Sequence, residues 1–298
     1  MKVFKDLVEI KNACLGLGFF DGVHLGHRKL ITELVEYSAK KGLNSVILSF
    51  KKSPAEKFFD DVKYINTLKE REDIISSLGV DYMIELDFND ELMNYTAEEY
   101  LSDILIKYFS PKFIICGFNH TFGRGKLGNS VFLEQNKQKY GYEFKLLPPI
   151  IQDGETVSST LIKDALTKGN IRKANLLLDN NFKIGGKVIK GNQIGRTIGF
   201  PTANIDYPVD KVVIPFGVYK VNVKHNNIIY RGMLNFGKKP TISKTNVKPV
   251  AEVHIIGFNK EIYNENIEIY IVDRIRNEKR FESLDDLKRQ IHKDMEVC

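Results

Sequence analysis

The feature that most limits what this chain can fold into is a change of texture near Asn180. Upstream of it, short aliphatic runs recur at residues 13–17, 45–50, 82–86, 113–116 and 142–147, with helical patterns between them. In one of these, Leu30, Ile31, Leu34 and Val35 make a single apolar face, and Lys40-Lys41-Gly42 supplies the cations and the glycine that end a helix. Strand alternating with helix predicts a parallel sheet covered on both faces, whose ligands sit beyond the carboxyl ends of the strands. Downstream, glycine-rich turns separate short runs at 186–190, 218–223, 228–231, 250–256 and 267–272. That is all-β patterning, and so few strands are expected to close into an antiparallel barrel. A last helix follows, with Ser283 as its N-cap and Leu284, Leu287 and Ile291 at helical spacing. The expectation is therefore two domains, residues 1–181 and residues 182–298.

Charge follows the same division. Residues 1–181 carry 24 Lys and Arg against 25 Asp and Glu, whereas residues 182–298 carry 20 against 13. A basic second half suits an anionic partner, either nucleic acid or a small phosphate ligand. It lacks the interleaved aromatics on which bases would stack, which argues against nucleic acid. Cys14, Cys116 and Cys298 lie far apart with no CxxC pair, which argues against a zinc ribbon, a redox motif and a disulfide framework. No run approaches the roughly 20 apolar residues that span a bilayer, and the first residues lack a signal-peptide core. The reading is a cytoplasmic protein without a membrane partner; its oligomeric state is not readable.

The strongest local signal is Gly18-Phe19-Phe20-Asp21-Gly22-Val23-His24-Leu25-Gly26-His27, placed after the first strand and opening the first helix. Glycines let the backbone approach a ligand, and a helix N-terminus favours anions. His24 and His27, three apart, can face one phosphate and stabilise charge that grows on it. A metal pair is the competing reading, but no further His/Cys cluster completes a metal site. In the second half, Gly191 and Gly195-Arg196-Thr197-Ile198-Gly199-Phe200-Pro201-Thr202-Ala203-Asn204 combine a glycine loop with a threonine and an asparagine. Such a loop wraps phosphates with N–H groups, and a threonine hydroxyl can ligate Mg²⁺. A simple hairpin explains the glycines but not the Thr and Asn behind Pro201.

These segments resemble the bifunctional riboflavin kinase/FMN adenylyltransferases, the prokaryotic FAD synthetases, along nearly the whole chain. The resemblance implies a Rossmann-like HxGH nucleotidyltransferase domain followed by a riboflavin kinase barrel with a terminal helix. It implies ATP-dependent phosphorylation of riboflavin to FMN, then adenylyl transfer from a second ATP to FMN, with Mg²⁺ at both sites. By resemblance, His24 and His27 act at the α-phosphate, and Gly18, Phe19, Asp21, Gly26, Ser158, Ser159, Thr160 and Lys163 bind ATP for adenylyl transfer. Asn119 and Phe122, from Gly117-Phe118-Asn119-His120-Thr121-Phe122-Gly123, and Arg276 and Phe281 near the C-terminus are expected at flavin or nucleotide. Gly191, Gly195, Arg196, Gly199, Thr202 and Asn204 are expected at the kinase's ATP, with Thr202 and Asn204 on the metal. Glu252, in Ala251-Glu252-Val253-His254-Ile255, is expected to accept the proton of riboflavin's terminal hydroxyl; a solvent-facing strand carboxylate is its plainer reading, as helix capping is for Ser158-Ser159-Thr160.

Three stretches depart from the family pattern. Phe50-Lys51-Lys52-Ser53-Pro54 stands where Phe-Asp-Pro-His-Pro is usual. Thr160-Leu161-Ile162-Lys163 replaces Thr-x-Ile-Arg and loses the bidentate fork of arginine. Leu178-Asp179-Asn180-Asn181-Phe182 stands where Leu-Gly-Arg-Pro-Tyr is usual. The first two keep open a kinase whose N-terminal domain is weak or regulatory, and the third alters a linker turn.

Overall fold

The computed structural model describes residues 1–191, 195, 198–239 and 248–298, which form two compact units, Met1–Ser159 and Thr160–Cys298. In the first, strands β1 (Lys2–Phe4), β2 (Ala13–Leu17), β3 (Asn44–Phe50), β4 (Tyr82–Leu86), β5 (Phe113–Gly117) and, later in the chain, β8 (Glu143–Leu147) make one sheet in the order β1-β4-β3-β2-β5-β8. Every pairing in it is parallel. Alternation along the strands sends Val46, Leu48, Ile114 and Cys116 to one core and Ile47, Phe113 and Ile115 to another, the pattern of a sheet buried on both faces. This is the parallel α/β layer expected from the texture and the Rossmann-like domain that the resemblance implied.

Helix α1 (Leu25–Lys41) puts Leu30, Ile31 and Leu34 on the second core, and Gly42, at φ 65°, ends it as the sequence foretold. Gly16 admits the helix: a Cβ there would lie 2.7 Å from Ile47 Cδ1 and 3.0 Å from Leu34 Cδ2. Helix α2 (Leu68–Ser77) starts in a full capping box, Thr67 with Glu70. The opposite face is covered by a helical run, α3 (Asp90–Asn94), α4 (Ala97–Glu99), a π-helical stretch Tyr100–Ile106 and α5 (Lys107–Phe109). A hairpin of β6 (Thr121–Phe122) and β7 (Gly128–Asn129), helix α6 (Ser130–Tyr140) and a second hairpin, β9 (Ile151–Gln152) with β10 (Glu155–Thr156), complete the unit.

Helix α7 (Ser159–Thr167) begins where the first unit ends, and α8 (Ile171–Leu178) leads into the barrel. The compact units therefore divide two helices before the 181/182 division drawn from texture. Asn175 explains the grouping of α8: its amide donates to Ile271 O at 2.9 Å and accepts from Phe182 N at 2.8 Å. Strands β11 (Phe182–Ile189), β12 (Ala203–Asp206), β13 (Gly217–His225), β14 (Ile228–Lys239), β15 (Lys248–Ile255) and β16 (Asn266–Asn277) close in the order β11-β12-β15-β14-β13-β16, antiparallel throughout. Ile184, Val221, Leu234, Val253 and Ile269 fill its interior. The terminal helix α9 (Leu284–Glu296) is capped by Ser283 and held to β16 by Arg276, whose Nε lies 2.9 Å from the buried carboxylate of Asp294.

Candidate functional sites

In the first unit, strand order reverses between β2 and β5, since β3 and β4 lie to one side of β2 and β5 and β8 to the other. The carboxyl ends of β2 and β5 thus flank the crevice where sheets of this type bind ligands. The turn after β2 carries the histidines, and the turn after β5 carries Asn119, which is exposed. The first turn is tightly wound. Phe20 and Val23 adopt φ of 60° and 42°, values that side-chain-bearing residues rarely take, beside Gly22 at 84°. Asp21, 4% exposed, secures it by accepting from Ile65 N at 2.8 Å. Arg71 donates to Phe19 O at 3.0 Å and to Phe50 O at 2.6 Å, with its guanidinium over the Phe19 ring.

His24 is the N-cap of α1, and its Nδ1 accepts from His27 N at 3.4 Å. Its proton therefore sits on Nε2, which is left as the donor. The two imidazoles stack with centroids 3.7 Å apart, and His27 meets Phe20 edge-on. Gly26 leaves room for this, because a Cβ there would crowd the His24 ring at 3.3 Å. Burial lowers the His24 pKa to about 4. Burial first, then the charges of His24 and Arg71, hold His27 well below the usual imidazole value. Both are neutral at physiological pH, and His27 Nδ1 is buried without a partner among the described residues. Neutral donors at a helix N-terminus can stabilise negative charge on a phosphate without first losing a proton.

Two of the other expected contacts, Ser159 and Phe122, also make contacts within the fold. Ser159 donates its hydroxyl to Asp21 O at 2.9 Å, so it ties the start of α7 to the histidine turn. Ser158 and Lys163 are half-buried and Thr160 is exposed, all around the first turns of α7. Phe122, expected at flavin or nucleotide, is 8% exposed and packs on Tyr100, His120 and Phe132. In the departing loop, Lys51 pairs with Asp87 at 2.6 Å and Ser53 caps a short 3₁₀ turn, Pro54–Lys57.

In the second unit, two hollows lie side by side. One, of about 210 Å³, is bounded by Thr202, Val253, Ile255, Phe258, Lys260 and Tyr263. The other, of about 220 Å³, is bounded by Lys190, Asn204, Asn235, Lys238, Glu252 and Glu278. Antiparallel register puts Glu252 opposite Asn204 on one side and Asn235 on the other. Gly191 and Gly195 come close to this row: a Cβ at Gly191 would collide with the Asn204 amide, and one at Gly195 would collide with Phe200 O and meet Thr202 Oγ1 at 3.4 Å. Gly199 takes φ 90°, and Arg196 lies outside the described residues. Thr202 and Asn204 thus offer neutral oxygens under one backbone cradle, a hard donor set that fits a magnesium–phosphate group.

Three residues, His254, His292 and Glu278, were not singled out from sequence. His254 donates from Nδ1 to Pro201 O at 2.8 Å, next to Thr202, and Phe200 packs between His254 and His292. Glu278 shares the cavity of Glu252. Arg276, expected at flavin or nucleotide, pairs with Asp294, with Phe281 beneath its guanidinium 5.8 Å away. Its charge goes to anchoring α9.

Comparison with known proteins covers both units. A family profile described as FAD synthetase matches residues 8–161, and one described as riboflavin kinase matches residues 178–298. A bifunctional riboflavin kinase/FMN adenylyltransferase of Escherichia coli (strain K12) is 35% identical over 284 residues, covering 94% of this chain and 90% of that one. The protein of the same description from Bacillus subtilis (strain 168) is 32% identical over 291 residues, covering 96% and 91%. A crystal structure described as a macrolide-efflux protein from Streptococcus pneumoniae superposes with a TM-score of 0.90 at 33% identity, over 99% of this chain and 97% of that one. Among the described residues no helix is long and apolar enough to cross a membrane.

Proposed function

Since the chain belongs to the family of bifunctional riboflavin kinase/FMN adenylyltransferases, we propose that it makes FMN and then FAD at two separate sites, the kinase within residues 182–298 and the adenylyltransferase within residues 1–181. The observation that carries this is the presence, on one chain, of two different phosphate cradles. One is the stacked His24–His27 pair at the mouth of a parallel sheet. The other is the close approach of Gly191 to Asn204 and of Gly195 to Thr202 on a barrel.

In the kinase step, Glu252 accepts the proton of riboflavin's terminal ribityl hydroxyl as that oxygen attacks the γ-phosphorus of ATP and ADP leaves. Riboflavin occupies the cavity shared by Glu252, Asn204 and Glu278, and the nucleotide occupies the one beside Thr202, whose apolar wall of Val253, Ile255 and Tyr263 suits a purine. Thr202 and Asn204 would hold Mg²⁺, which when bound neutralises phosphate charge. In the adenylyl step, a phosphate oxygen of FMN attacks the α-phosphorus of a second ATP, the bond to the bridging oxygen breaks and pyrophosphate leaves. His24 Nε2–H and the first N–H groups of α1 take up the charge that develops on the α-phosphate. No covalent nucleophile is needed, because positioning and charge stabilisation supply the acceleration. The substrates are small phosphates and flavins, and their reaction belongs in the cytoplasm.

The test is to supply riboflavin, ATP and Mg²⁺ to the purified chain and separate FMN from FAD by chromatography. Both products are expected in sequence. FMN accumulating with no FAD would reduce the first domain to a regulatory role, and neither product would sink the proposal.

A further inference from the structure

We propose that Arg71 is a positioning residue for adenylyl transfer, holding the histidine turn in its wound shape from beneath; this rests on the adenylyltransferase reading above. Arg71 lies in the first turns of α2 and is 3% exposed. Its Nη1 donates to Phe19 O at 3.0 Å, in the middle of the turn after β2. Its Nη2 donates to Phe50 O at 2.6 Å, at the end of β3, and to Glu85 Oε1 at 2.9 Å, on β4. The guanidinium carbon sits 4.7 Å from the centroid of the Phe19 ring. One cation therefore joins the exits of three neighbouring strands on the side of the crevice where His24 and His27 stand. Its counter-ion, Glu85, is fully buried and also takes Lys5, which keeps Glu72 as a second partner at 2.6 Å.

Burying a charge costs several kcal/mol even when it is paired. Packing alone would be served as well by a methionine. What only a planar, multiply donating cation can do is hold two carbonyls and a carboxylate at fixed separations. The turn it holds needs that. Phe20 and Val23 sit at φ 60° and 42°, and such backbone persists only where its surroundings over-determine it. Arg71 fixes the turn through its carbonyls, while Asp21 fixes it through the N–H groups of Ile65 and Asn66, just before α2. Both restraints come from one segment, residues 65–71. Without the arginine the turn can relax toward ordinary extended backbone, and the N-cap that carries His24 turns with it.

The experiment compares Arg71→Lys, Arg71→Met and the double variant Arg71→Met/Glu85→Gln in two assays on the same full-length protein. FAD formation from FMN and ATP reads the proposal, and FMN formation from riboflavin and ATP reads the integrity of the other unit. Arg71→Met is expected to lower kcat for FAD formation about 100-fold, the effect of a catalytic group displaced by roughly 1 Å. KM for FMN should move less than about threefold, the signature of a change felt in the transition state rather than in binding. Arg71→Lys should recover part of the loss, since charge returns without the fork. The double variant leaves no unpaired buried carboxylate, so it should melt near the parent temperature and still be slow. Parental kcat in that folded double variant would overturn the proposal. Loss of its fold would do so too, by assigning the pair to stability. If His24→Ala/His27→Ala makes FAD at the parental rate, or the parent makes none, the underlying reading fails, and that result is separate from any Arg71 effect.

Discussion

His24 and His27 are stacked and buried, so neither takes a proton where free imidazole does. With the His24 pKa lowered to about 4 and that of His27 held well below the usual imidazole value, neither ring should take up a proton near pH 6.5; an NMR titration in which either imidazole signal shifted there would contradict this. The same depression has a stability consequence of definite sign. Below its ordinary value an unfolded histidine binds a proton that the folded one refuses, so stability falls with pH until the folded value is reached. His120 belongs to this group, pushed by burial to about 4, with its Nε2 unpartnered among the described residues. His120→Phe should therefore lose less stability than the parent between pH 7 and 5 in urea titrations. His24→Ala/His27→Ala should abolish FAD but not FMN formation, and Glu252→Gln the reverse, each followed by product chromatography. At this scale the sequence was legible where a motif bound chemistry to spacing, as in the histidine pair. It was not legible in Lys69-Glu70-Arg71-Glu72-Asp73, which reads as a solvated charged face although Glu70 and Arg71 are 5% and 3% exposed. Nothing local in a charge run says which of its members turn inward.

Elements were readable wherever a run had one clear period. The five strand runs of the first half and the helix ending at Gly42 all stand where periodicity and capping placed them. β12 was not recognised as a strand, because four residues after a proline, with Ile205 the main apolar one, give no alternation to detect; pairing with β11 and β15 supplies what the sequence lacks. The terminal helix was legible, but its fastening was not, since Arg276 meets Asp294 across 18 residues. Removing one partner of a buried pair leaves the other charge uncompensated, so Asp294→Ala should cost about 3–5 kcal/mol. Thermal melting of the variant measures that loss, and kinase activity should fall with it while FAD formation from FMN persists at temperatures below the transition. Likewise Thr67→Ala, which deletes half of a capping box, should cost about 1 kcal/mol, and FAD synthesis should fail at a lower temperature than in the parent.

For the whole molecule, the more basic half of the chain is the one that closes into the barrel. If the two activities depend on separate cradles and FMN passes through solution, a mixture of His24→Ala/His27→Ala protein with Glu252→Gln protein should convert riboflavin to FAD although neither does so alone. Failure of the mixture at saturating ATP would require FMN to stay with the chain that made it. The two hollows of the barrel carry a practical corollary. Residues adjacent in sequence line the two, Ala203 and Val253 in one and Asn204 and Glu252 in the other, so fragments that bind each weakly lie within reach of a short tether. A two-headed inhibitor joining a purine-like head to a flavin-like head gains the effective concentration of intramolecular binding, and shortening the tether until affinity collapses would gauge the width of the barrier between them.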